Sequence, residues 1–285
     1  LLDLANLGLA DRELRTLGEL IEKPQGMIFV TGPTGSGKSS TLFACLNRIR
    51  HKAINITTIE NPIEYKLDGV NQVQVNEKAG VTFAKVLRSI LRQDPDVVLI
   101  GEIRDPETAQ IAVQASQTGH LVLSTLHTND AVSAITRLVD LGIPGYLIAS
   151  SILGILAQRL VRVLCPHCKC PGEPSEETRS RWNTLLKGIP MPPAHLARGC
   201  DHCGNTGYSG RAGIFELLPT DENLRAMFST DFSETSVRQY ARKNGVRSLI
   251  HNGLRAIENG VTTPEELLRV VMVEDVEQMR DGTEA

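Results

Sequence analysis

Two groups of residues in this 285-residue chain have the types and spacing to do chemistry. The first is "FVTGPTGSGKSS", residues 29–40, in which Gly32, Gly37, Lys38 and Ser39 meet the pattern G-x-x-x-x-G-K-[ST]. Glycines let successive backbone N–H groups turn inward on a phosphate, and a following helix adds the positive end of its dipole. The spacing predicts a triphosphate cradle of Gly32, Pro33, Thr34, Gly35, Ser36, Gly37, Lys38, Ser39 and Ser40. Lys38 would pair with β/γ oxygens, and the Ser39 hydroxyl would ligate Mg²⁺. An incidental glycine turn is the competing reading; an apolar strand before the loop and the helical "STLFACLNRI" after it argue against that.

The second group is four of the six cysteines, in the pairs Cys165-Pro-His-Cys168 and Cys200-Asp-His-Cys203, with 31 residues between them. Two such knuckles supply four thiolates for a tetrahedral Zn²⁺, a structural site with no position left for catalysis. Four reduced cysteines without metal, or a redox pair, are the alternatives. His167, His202 and Cys170 are possible substitute ligands, and Cys45 reads as a packing residue on the helix after the glycine loop.

The elements that must position these residues follow from periodicity. Leu14, Leu17 and Ile21 are spaced for a short amphipathic helix within residues 1–23. Short apolar strands then alternate with helices: "MIFVT" (27–31), "INITTI" (54–59), "DVVLI" (96–100) and "LVLSTL" (121–126). This predicts an α/β fold with a mostly parallel sheet covered on both faces. Asp105-Pro106-Glu107 is a helix start and Gly119 a stop; Asn129 or Asp130 caps the next helix, which ends near Leu141. The run "YLIASSILGILA" (146–157) falls short of the ~20 apolar residues of a membrane span and reads as a buried helix. Beyond "YSGRAGIFELLP" (208–219) the pattern becomes helical, and "SVRQYARKNGVRSLIHNGLRAIENG" and "TPEELLRVVMVED" are expected to form two or three helices.

In an open parallel sheet, ligands lie beyond the carboxyl ends of the strands. Glu102 follows its strand there and is the first candidate to orient the attacking water. Glu60, with Glu64 four residues on, is a candidate for the metal or water shell, and His127, with Thr125 or Thr128, for a γ-phosphate contact. Asp94, Asp96 and His120 precede their strands and fall at the far edge. Arg88, Arg92 and Arg104 flank these segments as candidates to stabilise transferred charge.

A net charge of −3 and only 4% aromatics offer neither the basic footprint nor the stacking platform of a nucleic-acid binder. No basic n-region followed by an apolar h-region and small-residue cleavage site is seen in these residues, and paired CxxC without secretory features is expected to mark metal in a reducing compartment. The chain opens on Leu and reads as a fragment.

Together, "GPTGSGKSSTL", "IENPIEY", "LRSILRQDPDVVLIGEIRDPETAQIAVQASQTGHLVLSTLHTND", "LAQRLVRVLCPHCK" and "YSGRAGIFELL" resemble the C-terminal ATPase domain of the type II/type IV secretion ATPase superfamily. The resemblance covers residues 1 to about 272 and leans toward the general secretion pathway protein E branch. It implies a RecA-like P-loop NTPase with an entry helix in 1–26 and an ATPase core over 27–160. A tetracysteine zinc module over 161–210 and a C-terminal strand/helical subdomain over 211–285 complete it. It implies catalytic Glu102, Glu60 and His127, zinc on Cys165, Cys168, Cys200 and Cys203, and ATP, Mg²⁺ and Zn²⁺ as cofactors. The whole protein is then expected to form a homo-hexamer, cytoplasmic and held peripherally to the inner membrane through secretion-platform proteins. It would drive a pseudopilus that exports folded proteins across the outer membrane. Asn61 departs from the Asp usual in the family, and a fragment without upstream domains is expected to be monomeric and a poor ATPase. A pilus-extension ATPase is the neighbouring alternative. A zinc-containing nucleotide switch that binds nucleic acid is the alternative from another class, and a small-molecule kinase lacks a visible lid or acceptor pocket.

Overall fold

A computed structural model describes residues 3–50, 53–230 and 232–271. The elements in chain order are α1 (Asp11–Ile21), β1 (Gly26–Thr31), α2 (Lys38–Ile49), β2 (Ile56–Glu60), β3 (Asn71–Gln74), α3 (Phe83–Ile90), β4 (Val97–Ile100), α4 (Pro106–Gln117), β5 (Leu121–Leu126), α5 (Ala131–Asp140) and α6 (Gly145–Ser151). There follow β6 (Ile152–Leu164), β7 (Lys169–Pro171), α7 (Glu176–Leu185), β8 (His195–Ala197), β9 (Tyr208–Pro219), α8 (Glu222–Ser229), α9 (Glu234–Lys243), α10 (Leu249–Glu258) and α11 (Pro264–Val270).

Seven strands form one sheet in the order β3-β2-β4-β5-β1-β6-β9, parallel throughout except for β9, which runs antiparallel to β6. Every residue of β1, β2, β4 and β5 is buried, because helices cover both faces. Alternate side chains accordingly enter two separate cores. Met27, Phe29, Val98, Ile100 and Val122 pack on one face; Ile28, Val30, Val97, Leu99 and Leu123 pack on the other. Each such side chain contributes about 1.5–3 kcal/mol of apolar burial, which is why β-branched and leucine runs rather than alternating polar patterns mark these strands.

The helix starts follow the side chains that precede them. The Asp105 carboxylate accepts from the Thr108 N–H with Pro106 at the first helical position, and Asp130, not Asn129, caps α5 through Ser133 N. Gly119 closes α4 at φ 105°.

One expectation is corrected. The run over 146–157 is not one buried helix: α6 ends at Ser151 and Ile152 opens a 13-residue strand. A short apolar run has no periodicity that separates helix from strand, and here β1 on one side and β9 on the other satisfy the backbone. The two C-terminal stretches hold three helices, α9, α10 and α11, within the two or three expected, with Gly245, at φ 73°, separating α9 from α10; α8, after an Asp221 cap, is a further helix ahead of them. The expected last helix, "TPEELLRVVMVED", is helical over Pro264–Val270, and its end lies outside the described residues.

β6 runs without a break through positions 160 and 161, so the parallel core and the cysteine segment share a strand. No helix among the described residues is long and apolar enough to cross a membrane.

Candidate functional site

The glycine loop joins β1 to α2, and its backbone takes conformations that glycine alone adopts cheaply. Gly35 and Gly37 have φ of 80° and 88°. At Gly37 a Cβ would stand 2.8 Å from Gln158 Nε2, and at Gly32 one would stand 2.5 Å from the Gln158 carbonyl oxygen. The loop is therefore wrapped closely over β6. Thr41 on α2 donates to Gln158 Oε1 at 2.7 Å, so one buried glutamine touches both ends of the turn. Ser36 Oγ is buried within it and has no hydrogen-bond partner. Such an orphaned donor fits a cradle completed by an anion.

Lys38 folds back over this loop, with Nζ donating to the carbonyl oxygens of Gly32 at 2.9 Å and Pro33 at 3.0 Å. Burial lowers its pKa; the Glu102 carboxylate opposes that and Arg159 adds to it. A partly desolvated ammonium satisfied only by carbonyls is well placed to take phosphate oxygens instead.

A cleft of about 450 Å³ opens beside the loop. It is bordered by Lys38 and Ser39 and by the strand-end residues Glu60, Glu102 and His127, so the side chains ranked by strand direction do converge. Glu60 ends β2, buried, with Oε1 accepting from Thr58 Oγ1 at 2.5 Å and Gln72 Nε2 at 3.0 Å. Glu102 Oε2 accepts from Arg104 Nε at 2.5 Å and lies 3.4 Å from His127 Nε2. Beneath them Thr125 donates to Gly101 O at 2.6 Å, and Thr128 is tied to the end of β1 by its N–H on Thr31 Oγ1 at 2.9 Å. Ser39, Glu60, Glu64 and Glu102 offer only oxygen donors, the set suited to a hard divalent cation.

Other candidates fall elsewhere. His120 immediately precedes β5 at the far edge and bonds the Ala115 carbonyl at 3.0 Å; Asp96 accepts there from Asn55 N at 2.6 Å. Arg88 pairs with Glu107 at 2.7 Å, and of the three flanking arginines only Arg104 borders the cleft. Sequence reasoning missed Gln158 and Arg211, which reach the site from β6 and β9. Their only signal was membership of the runs "LAQRL" and "SGRAG".

The loop carrying His127 is clamped from behind. Arg159 Nη2 donates to Asn129 O at 2.8 Å, the Ala131 N–H donates to Glu216 at 2.9 Å, and Arg238 on α9 donates to Asp130 at 3.1 Å. Burial works to raise the Asp130 carboxyl, but Arg238 and Ser133 hold it below the usual range.

The sulfurs of Cys165, Cys168, Cys200 and Cys203 lie within 4.8 Å of one another. The separations Cys165–Cys200, Cys168–Cys203 and Cys200–Cys203 are 3.9, 3.9 and 3.8 Å. A tetrahedron with metal–sulfur bonds near 2.3 Å has edges of about 3.8 Å, so the cluster is compatible with a four-thiolate metal. Burial pushes the Cys168 thiol up to about 12. At Cys203 burial is outweighed by the N–H groups of Cys200 and Gly207, which pull it down to about 6. The possible substitutes stand aside: His167 and His202 stack on each other at 4.1 Å, and Cys170 accepts from Arg198 Nε at 3.0 Å. Cys45 is buried in the core, its thiol pushed up to about 12.

The profile of the family described as type II/IV secretion system protein matches residues 1–269. Among curated proteins, the chain is 53% identical over 274 residues to type II secretion system protein E of Pseudomonas aeruginosa, covering 96% of this chain and 54% of that protein. It is 51% identical over 269 residues to type II secretion system ATPase E of Vibrio cholerae, covering 94% and 53%. The chain thus spans about half the length of these relatives. Among solved structures, the pilus retraction motor PilT with bound ADP superposes with a TM-score of 0.69 at 30% identity, over 94% of this chain and 66% of that one.

Proposed function

The chain belongs to the type II/IV secretion system protein family, and on that premise we propose that it is the ATP-hydrolysing part of a motor for type II protein secretion. The observation that carries this reading is the meeting of the phosphate loop, Glu60, Glu102 and His127 around one cleft. Two relatives named for type II secretion, at 53% and 51% identity, support that branch over the type IV pilus assembly ATPase PilB of Thermus thermophilus, at 46%.

In this reading the loop N–H groups and Lys38 bind the phosphates, Lys38 exchanging the Gly32 and Pro33 carbonyls for β/γ oxygens. Glu102 orients the attacking water. Arg104 and His127 both address Oε2 and so leave Oε1 for the water. His127 touches the γ-phosphate and carries its loss to the loop clamped by Arg159, Glu216 and Arg238. Bound Mg²⁺ would neutralise phosphate charge, with the Ser39 hydroxyl as this chain's ligand and Glu60 in its water shell. Glu60 is held still for that task by Thr58 and Gln72.

The remaining parts of the proposal concern the whole protein. It works as a homo-hexamer on the cytoplasmic side of the inner membrane, attached through platform proteins, with no nucleic-acid partner. Residues 1–26 enter the ATPase core of 27–160; residues 161–210 are a zinc module and 211–285 a C-terminal subdomain.

Phosphate release by the assembled protein tests the chemistry. Lys38→Ala is expected to abolish nucleotide binding, and Glu102→Gln to keep binding while slowing hydrolysis at least ~100-fold. Turnover by Glu102→Gln at the unmodified rate would refute the assignment.

A further inference from the structure

A charged concavity outside the nucleotide cleft lies where α1 meets β9 and α10. It is a cavity of about 480 Å³ bordered by Arg12, Arg15, Arg247 and Arg255, with the amides of Asn252 and Asn259 beside them and only one acid, Asp11. Arg12 gives hydrogen bonds to the carbonyl oxygens of Asn244 and Gly245. The side chains of Arg15, Arg247 and Arg255 make no ion pair or hydrogen bond among the described residues. Gathering four guanidinium groups at one cavity in a chain of net charge −3 concentrates positive potential there. His251 registers it: burial, then the charges of Arg247 and Arg242, lower its pKa.

Arg12 and Arg247 also border a second cavity, of about 230 Å³, so the two cavities adjoin across these side chains as two parts of one groove-like surface. The second part is different in character. Leu217, Leu224 and Val246 line it, and its acids, Glu13 and Asp221, turn anions away. Glu13 is buried there with Oε2 unpartnered, while Asp221 is occupied in capping α8 and accepting from Tyr240. The groove therefore has a basic end and an apolar end, with a floor from β6 and β9 at Val161 and Ile214.

We propose that this groove between α1, β9 and the C-terminal helices docks an acidic peptide segment of a partner protein, with carboxylates against Arg15, Arg247 and Arg255 and an apolar side chain in the pocket of Leu217, Leu224 and Val246. The charge complementarity selects carboxylates, and the basic cavity with an apolar one beside it selects a chain: a compact phosphate ion would use the arginines and leave the apolar cavity unfilled. None of these residues borders the nucleotide cleft, so the inference stands apart from the ATPase reading.

Fluorescence anisotropy with a labelled peptide of alternating glutamate pairs and leucines tests it on the whole chain. Binding is expected, with affinity falling about tenfold when Arg15→Glu and Arg255→Glu are combined, both positions being exposed and a thermal melt confirming the fold. A polyglutamate peptide without leucines should bind several-fold more weakly, and Leu224→Ala should abolish that difference. No binding, or binding that the charge reversals leave unchanged, overturns the proposal. Displacement of the peptide by inorganic tripolyphosphate at equal concentration, with no advantage from the leucines, overturns it too and makes the groove a site for small anions.

Discussion

His127 Nε2 lies 3.4 Å from the same Glu102 oxygen that accepts from Arg104. One carboxylate oxygen is thus shared by a ring from β5's far end and a guanidinium two residues away. His127→Ala is expected to lower kcat roughly 100-fold, since a donor aimed at developing charge is lost, while ADP affinity stays within a factor of two or so. Nucleotide titration beside a phosphate-release assay checks this; a parallel loss of ADP affinity would make the ring a simple binding contact.

Gln158 should matter to the phosphate loop although it touches no phosphate. Gln158→Ala leaves the Thr41 hydroxyl buried without its acceptor, at a cost of about 1–3 kcal/mol in urea unfolding. Because the same side chain backs Gly37, nucleotide Kd is expected to rise as well. An unchanged Kd would confine the residue to stability.

The Arg238–Asp130 pair predicts a pH signature. The folded Asp130 carboxyl is held below its unfolded value, so its contribution is full above about pH 4 and is lost as pH falls through the folded value. Arg238→Met takes the guanidinium away from the buried Asp130 carboxylate, which keeps its Ser133 bonds, and should cost about 2 kcal/mol at pH 6. The gap between the two proteins should narrow by pH 3.5, because protonation relieves the variant and weakens the original. Urea midpoints at the two pH values decide it.

For the cysteine cluster the expected outcome is about one zinc per chain by elemental analysis. Chelation should lower the melting temperature and free four thiols for titration. No metal, or four reactive thiols in the untreated protein, would remove zinc from the description.

Much of this was legible in the residues. The phosphate loop followed from its glycine–lysine motif, and the positions of Glu60, Glu102 and His127 from strand direction, because a parallel sheet puts every strand's carboxyl end on one side. His120 and Asp96 were placed at the opposite edge by the same logic. What stayed hidden depends on pairing over distance. Gln158 sits on a segment that reads as readily helical as extended, and only its ladder to β1 and β9 sets it beneath Gly32. Arg211 enters the cleft because β9 folds back antiparallel, which its local sequence does not announce. The clamp of Arg238 on Asp130 joins residues 108 apart and has no local signature.

β6 carries Gln158 against the phosphate loop and ends at Leu164, next to Cys165. At about 3.3 Å per residue, some 20 Å of stiff strand separates the loop contact from the first sulfur. The phosphate loop and the cysteine cluster thus hang on one strand, and a displacement of β6 at Gln158 would carry toward Cys165 except where the register shift between Arg162 and Leu164 absorbs it.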